Sequence, residues 1–131
     1  MENCPICNGR LEQQNKTIVY KYKNHSKEIV QPGKYCKECG EGFLSPADLK
    51  QSKKEIADFK REVDNLLTTE EIKRIRKKLH LTQEKASEFF GGGKRAFHKY
   101  ETGEINQSKP LDILFRLLDK NKISINDLTK I

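Results

Sequence analysis

Four cysteines carry the first chemistry in this sequence. They come as two pairs, Cys4-Pro5-Ile6-Cys7 and Cys36-Lys37-Glu38-Cys39, each followed closely by a glycine. A turn of that length offers two thiolates to one ion and aims backbone amides at the sulfurs. Four thiolates close a tetrahedral shell, which suits one structural Zn²⁺ held by Cys4, Cys7, Cys36 and Cys39. A pair of disulfides is the competing reading, but a reducing compartment favours metal for such pairs. A catalytic zinc would keep an open position and usually enlist a histidine, whereas four cysteines close the sphere. His25 falls in an expected hairpin turn and reads as a surface residue.

The second constellation is LTQEKASEFFGGGKRAFHKYETG, Leu81 to Gly103. Thr82 is a capping residue type, and Ala86, Phe89 and Phe90 follow at helical spacing, so a helix is expected over 82–90. Gly91, Gly92 and Gly93 stop it, because glycine loses the most backbone entropy on ordering. A second helix is expected from Lys94 to Tyr100, with Gly103 as a left-handed stop. Phe97 and Tyr100 share one of its sides, and Arg95, His98, Lys99 and Thr102 share the other. The first side can enter a core. The second presents groups that reach phosphates and base edges in a major groove, which makes Lys94, Arg95, His98 and Lys99 the expected DNA contacts. So short a turn forces two helices to cross steeply, as in a helix-turn-helix unit. A polar surface on an ordinary helical hairpin is the plainer alternative. The glycine run is no phosphate loop, since it lies between helices and not after a strand.

These groups need elements to hold them. Thr17 to Lys23 reads as a strand, with Ile18, Tyr20 and Tyr22 alternating on one face. Asn24-His25 marks a turn, Lys27 to Gln31 a returning strand, and Pro32-Gly33 a second turn before Tyr35. Ser45, Pro46 and Asp48 open a helix over 45–66. In it Leu49, Ile56 and Val63 recur every seven residues, with Phe59 and Leu66 offset by three. That fits a short coiled-coil seam or, more simply, packing on the metal unit. Thr68 and Glu71 fit a capping box for a helix with Ile72, Ile75 and Leu79 on one face. Lys73, Arg74, Arg76, Lys77 and Lys78 occupy the rest, either solvated or lying along phosphates. A helix over 110–120 and a last short one from Ser124 complete the chain. The expected fold is α+β with two small domains. Residues 1–67 form a zinc-binding β-hairpin ribbon plus helix, and residues 68–131 a five-helix helix-turn-helix domain. Leu117, Ile123, Ile125, Leu128 and Ile131 exceed what so small a core needs and are assigned in part to a homodimer interface. Dimers let two recognition helices enter major grooves about 34–36 Å apart.

Composition agrees with that division. Of 131 residues, 34% are hydrophobic and 34% charged, which is lean for one large core. The net charge of +7 divides into +2 over residues 1–44, zero over 45–67 and +5 over 68–131. The excess therefore sits with the glycine-joined helices, where it favours nucleic acid through counterion release. No apolar run exceeds three residues. Neither a membrane span nor a secretory signal is expected, and the protein is placed in the cytoplasm.

The order of CPxC, hairpin, CxxCG and helix, then Arg76-Lys77-Lys78-Leu79, Leu81-Thr82-Gln83, Gly91-Gly92-Gly93, Ala96-Phe97 and Tyr100-Glu101-x-Gly103, resembles the MqsA-type (YgiT-type zinc finger) antitoxins over nearly the whole chain. Their helix-turn-helix is Xre-like. The resemblance implies the antitoxin of a type II toxin–antitoxin pair. Its zinc half would neutralise a ribonuclease toxin, and its other half would dimerise and repress its own operon at a palindrome. The zinc ligands carry over to the four cysteines without departure. The base-reading Asn and Arg of the family fall here on Arg95 and Lys99. Arg and Lys favour guanine where Asn suits adenine, so a different half-site is expected. Thr82 and Gln83 resemble the end of the unit that meets phosphate. A stand-alone zinc-ribbon regulator without a toxin is the alternative. No enzyme is expected, for want of an open metal site, a nucleophile motif or a phosphate loop.

Overall fold

The computed structural model describes residues 3–130. The chain divides into two compact units, Met1–Ile56 and Ala57–Ile131. No described helix is long and apolar enough to cross a membrane.

In the first unit, β1 (Leu11–Tyr22), β2 (His25–Cys36) and β3 (Gly42–Phe43) form an antiparallel sheet in the order β1-β2-β3. The hairpin is longer than its sequence suggests. Its two-residue turn is Lys23-Asn24, one position earlier than expected, with Lys23 at φ 54° and Tyr22 facing His25. The second turn expected at Pro32-Gly33 does not form, and β2 runs straight through both residues. The register explains this. Paired residues alternate between exchanging hydrogen bonds and not, and counting from the turn puts Pro32, opposite Asn15, on a non-exchanging pair. Its missing N–H therefore faces the other edge, where β3 reaches only Lys34 and Tyr35. A Cβ on Gly33 would lie 2.5 Å from Leu44 Cδ2, so the exposed end of that side chain would have to shift aside.

Ile29, Gln31 and Tyr35 alternate along one face of β2 and are buried. The Gln31 amide donates to the Asp48 carbonyl on α1 (Pro46–Val63), and the buried Ser52 hydroxyl donates back to Leu49. Ser45 caps α1 as expected, exchanging bonds with Asp48 in both directions. Leu49 is 37% exposed, while Phe59 is buried.

The division between units falls inside α1, eleven residues before the expected 67–68 junction. Charged side chains account for this. The Asp58 carboxylate accepts from the Thr69 amide and hydroxyl, both at 2.8 Å, and Arg61 donates to the Ile105 carbonyl at 2.7 Å. The end of α1 thus belongs with the helices that follow: α2 (Thr69–Lys78), α3 (Gln83–Phe90), α4 (Ala96–Thr102), α5 (Lys109–Asp119) and α6 (Ile125–Thr129). Their N-caps, Thr68, Thr82, Ser108 and Ser124, are hydroxyl residues that each accept a first-turn amide; α4 alone lacks a side-chain cap. Leu67, Ile72, Ile75, Ala86, Ala96, Phe97, Tyr100, Phe115 and Leu118 form the core, where Phe97 meets Tyr100 edge to face and Phe115 at a tilt. Asp112 lies wholly buried beside it, accepting from Leu67 N, Gln107 and Arg116.

Candidate functional site: a four-cysteine cluster and a cationic helix face

The sulfurs of Cys4, Cys7, Cys36 and Cys39 all lie within 4.8 Å of one another. Cys4 and Cys39 are 3.7 Å apart, and Cys7 and Cys36 are 3.4 Å apart. A tetrahedral shell with metal–sulfur bonds of about 2.3 Å has edges of about 3.8 Å, so the four stand close to the corners of one ion's shell.

Both cysteine turns follow one backbone plan. The first cysteine's amide donates to the carbonyl five residues on, Cys4 to Gly9 at 2.7 Å and Cys36 to Glu41 at 2.9 Å. Its carbonyl accepts from the amide four residues on, Asn8 at 2.8 Å and Gly40 at 3.1 Å. That fourth residue is left-handed in each turn, φ 61° at Asn8 and 79° at Gly40. Asn8, and not the adjacent Gly9, is therefore the counterpart of Gly40. The amides of Ile6 and Glu38 donate to the Cys4 and Cys36 sulfurs at 3.4 Å each. The amides of Cys39 and Glu38 pull the Cys36 thiol down to about 6. Against the Glu41 amide, desolvation and the thiols of Cys7, Cys36 and Cys4 push Cys39 up to about 12. Once one of the four has ionised, its charge opposes ionisation of the others unless a cation stands among them. The donor set, spacing and amide bonds all fit a metal ion held by these four residues. His25 sits at the far end of the hairpin from Cys36, as a surface residue.

The second site is the outer surface of α3 and α4. The turn between them occupies 91–95, and α4 begins at Ala96, two residues later than the sequence suggested. Gly91, Gly92 and Gly93 have φ of 85°, 97° and 103°, three successive conformations that only glycine adopts without strain. Lys94 and Arg95 therefore project from the turn and not from the helix. Phe97 and Tyr100 are buried as expected, and Arg95 and Lys99 are exposed. Gln83, Glu84, Lys94, Arg95 and His98 line one open depression of about 560 Å³. Four of these five belong to the expected contact set; the others of that set, Thr82 and Lys99, are exposed outside it. Glu84 was not anticipated. Its carboxylate repels phosphate and is the group type that accepts from cytosine N4.

Two features hold this surface in place. The Ser87 hydroxyl on α3 donates to Gln83 O and accepts the Phe97 amide at 3.2 Å, supplying the missing N-terminal partner of α4. Arg76 is no part of a solvated basic face. It is 8% exposed and makes a two-pronged pair with the buried Glu101, at 2.8 and 3.0 Å, while its third nitrogen donates to Leu81 O. Glu101 also accepts from Gln83 at 3.2 Å, which orients that amide. Arg74 and Lys78 pair with Asp119 on α5.

The residues assigned to a dimer interface separate. Leu117 is 37% exposed, and Ile113, one turn before it and missed in the sequence, is 48% exposed. Ile123, Ile125 and Leu128 are half-buried against their own core. Ile131 lies outside the described residues.

A family model described as the antitoxin component of a bacterial toxin-antitoxin system, MqsA, matches residues 1–128. Antitoxin MqsA of Escherichia coli (strain K12) is 33% identical over 129 residues, covering 95% of this chain and 98% of that protein.

Proposed function

Since the chain belongs to the MqsA antitoxin family, we propose that it neutralises a ribonuclease toxin through its cysteine-bearing unit and represses its own operon through α3 and α4. It acts by binding and not as an enzyme. The four-cysteine cluster holds one structural Zn²⁺, which would crosslink the two turns and so fix the hairpin base between them. In the second unit, α3, the glycine turn and α4 work as a helix-turn-helix. Thr82, Gln83 and the first amides of α3 meet phosphate. Lys94, Arg95, His98 and Lys99 face base edges and phosphates in the major groove, and Arg95 and Lys99 favour guanine. A second copy, joined along Ile113 and Leu117 of α5, would present the matching helix to the other half of a palindrome. The observation that carries the DNA reading is the convergence of Lys94, Arg95 and His98 on one depression, with α4's apolar side fully buried behind it.

The test is co-purification with the product of the adjacent gene, with zinc assayed on the eluted complex and operator binding measured on the free protein. A stoichiometric complex with one zinc per chain supports the antitoxin reading. Zinc and operator binding without any partner would leave a stand-alone regulator. Zinc-free protein that still binds the toxin would remove the metal from the account.

A further inference from the structure

We propose that Arg61, on α1, is a positioning residue for the α4 recognition surface, an inference that rests on the operator-binding reading above. Arg61 is 0% exposed. Its Nη2 donates to the Ile105 carbonyl at 2.7 Å. Ile105 and Glu104 in turn donate their amides to the Lys99 carbonyl, at 3.4 and 3.0 Å, closing the end of α4. One guanidinium thus reaches, through a single loop residue, the backbone of Lys99. At its other end Arg61 faces Asp58, 3.6 Å away, whose carboxylate is already engaged by Thr69. Two Arg61 nitrogens, Nε and Nη1, are buried without a hydrogen-bond partner. A buried cation so incompletely partnered is a poor device for stability, because an apolar side chain of similar volume commonly serves a core as well or better. What an apolar residue cannot do is hold the Ile105 carbonyl. The arrangement makes sense as a clamp on the loop that follows α4, at a cost to the core.

The full-length variants Arg61→Met and Arg61→Lys separate the two roles. For Arg61→Met the expected result is a melting temperature within about 2 °C of wild type or above it. Faster hydrogen exchange at the Glu104 and Ile105 amides and operator affinity weakened at least about tenfold are expected with it. Arg61→Lys, with a point charge in place of the fork, should fall between. Wild-type exchange and affinity in Arg61→Met would overturn the proposal. So would a large drop in melting temperature in both variants, which would make Arg61 an ordinary fold residue. If the wild-type protein itself binds no operator DNA, the operator reading fails, and the exchange at Glu104 and Ile105 decides the clamp alone.

Discussion

At the scale of single residues, the buried Arg76–Glu101 pair bears most directly on both fold and site, because Glu101 also orients Gln83. Removing one partner strands the other without water. Glu101→Ala should therefore cost about 3–5 kcal/mol in denaturant unfolding, while Arg76→Met with Glu101→Leu should cost far less. Equal losses in the single and double variants would show that the pair matters by volume and not by charge. At the exposed positions the expectation differs. Arg95→Ala and Lys99→Ala should each weaken operator binding by about 1–3 kcal/mol if they read bases. A uniform loss on all sequences, with the salt slope reduced by about 1, would mark phosphate contacts instead. The cysteines were legible because their spacing has one economical use. Arg76 was equally legible and was overlooked. It stands with Ile72, Ile75 and Leu79 at the i, i+3, i+4, i+7 positions of the inward stripe, but its charge placed it with the lysines around it. Ser87 and Asp112 carried no comparable signal, since a buried polar residue announces itself only through partners distant in sequence.

At the scale of elements, helix starts capped by a hydroxyl were legible, whereas the start of α4 and the turns were not. Thr68, Thr82 and Ser124 open helices where expected, and Ser108, not singled out in the sequence, caps α5 in the same way, because that signal is local. Pro32-Gly33 misled because a turn dipeptide is also tolerated in a strand whose register leaves the proline nitrogen unpaired. The start of α4 shifted because three glycines with positive φ need Lys94 and Arg95 to complete the reversal. That turn gives a graded test. A Cβ on Gly92 would lie 2.9 Å from the Tyr100 hydroxyl at φ 97°, whereas a Cβ on Gly91 meets nothing within 4 Å. Gly91→Ala should cost only its backbone strain, about 1–3 kcal/mol, and Gly92→Ala more, as read by thermal unfolding. Equal costs would mean that Tyr100 moves freely aside. A second element-scale test concerns α5, tied to the α1–α2 junction by Asp112. Against its burial, bonds from the Leu67 amide, Arg116 and Gln107 hold its carboxyl below the ordinary 3.8. A depressed folded value contributes stability that is present above the unfolded value and lost as pH falls through the folded one. Stability should therefore decline on acidification below about pH 4, and Asp112→Asn should flatten that decline while lowering stability at neutral pH.

At the scale of the whole molecule, the charge distribution separates a neutral middle from a basic end but does not place the boundary between the two units. An unbroken helix with no glycine gives no sign of which turn packs where, and Asp58 and Arg61 look like solvent residues until their partners at Thr69 and Ile105 are known. The proposed dimer surface poses the same difficulty. Apolar surplus in the sequence pointed to Leu117, Ile123, Ile125 and Leu128 together. Three of them cover their own core, and what remains outward on α5 is Leu117 with Ile113, one helical turn apart. A two-fold contact along that stripe is self-complementary, since each helix offers the same two side chains to its copy. Leu117→Glu would place two carboxylates against each other across such an axis, a penalty that grows as water is excluded. On the proposed dimer, the variant should run in sedimentation as a monomer at concentrations where the wild type associates, with its melting curve little changed because Leu117 is already partly in water. Its binding to an isolated half-site should match wild type, while its advantage on the full palindrome should vanish. A Leu117→Glu protein that stays dimeric would move the interface away from α5, and within the second unit the search would turn to Phe89 and Ile105, at 39% and 44% exposure.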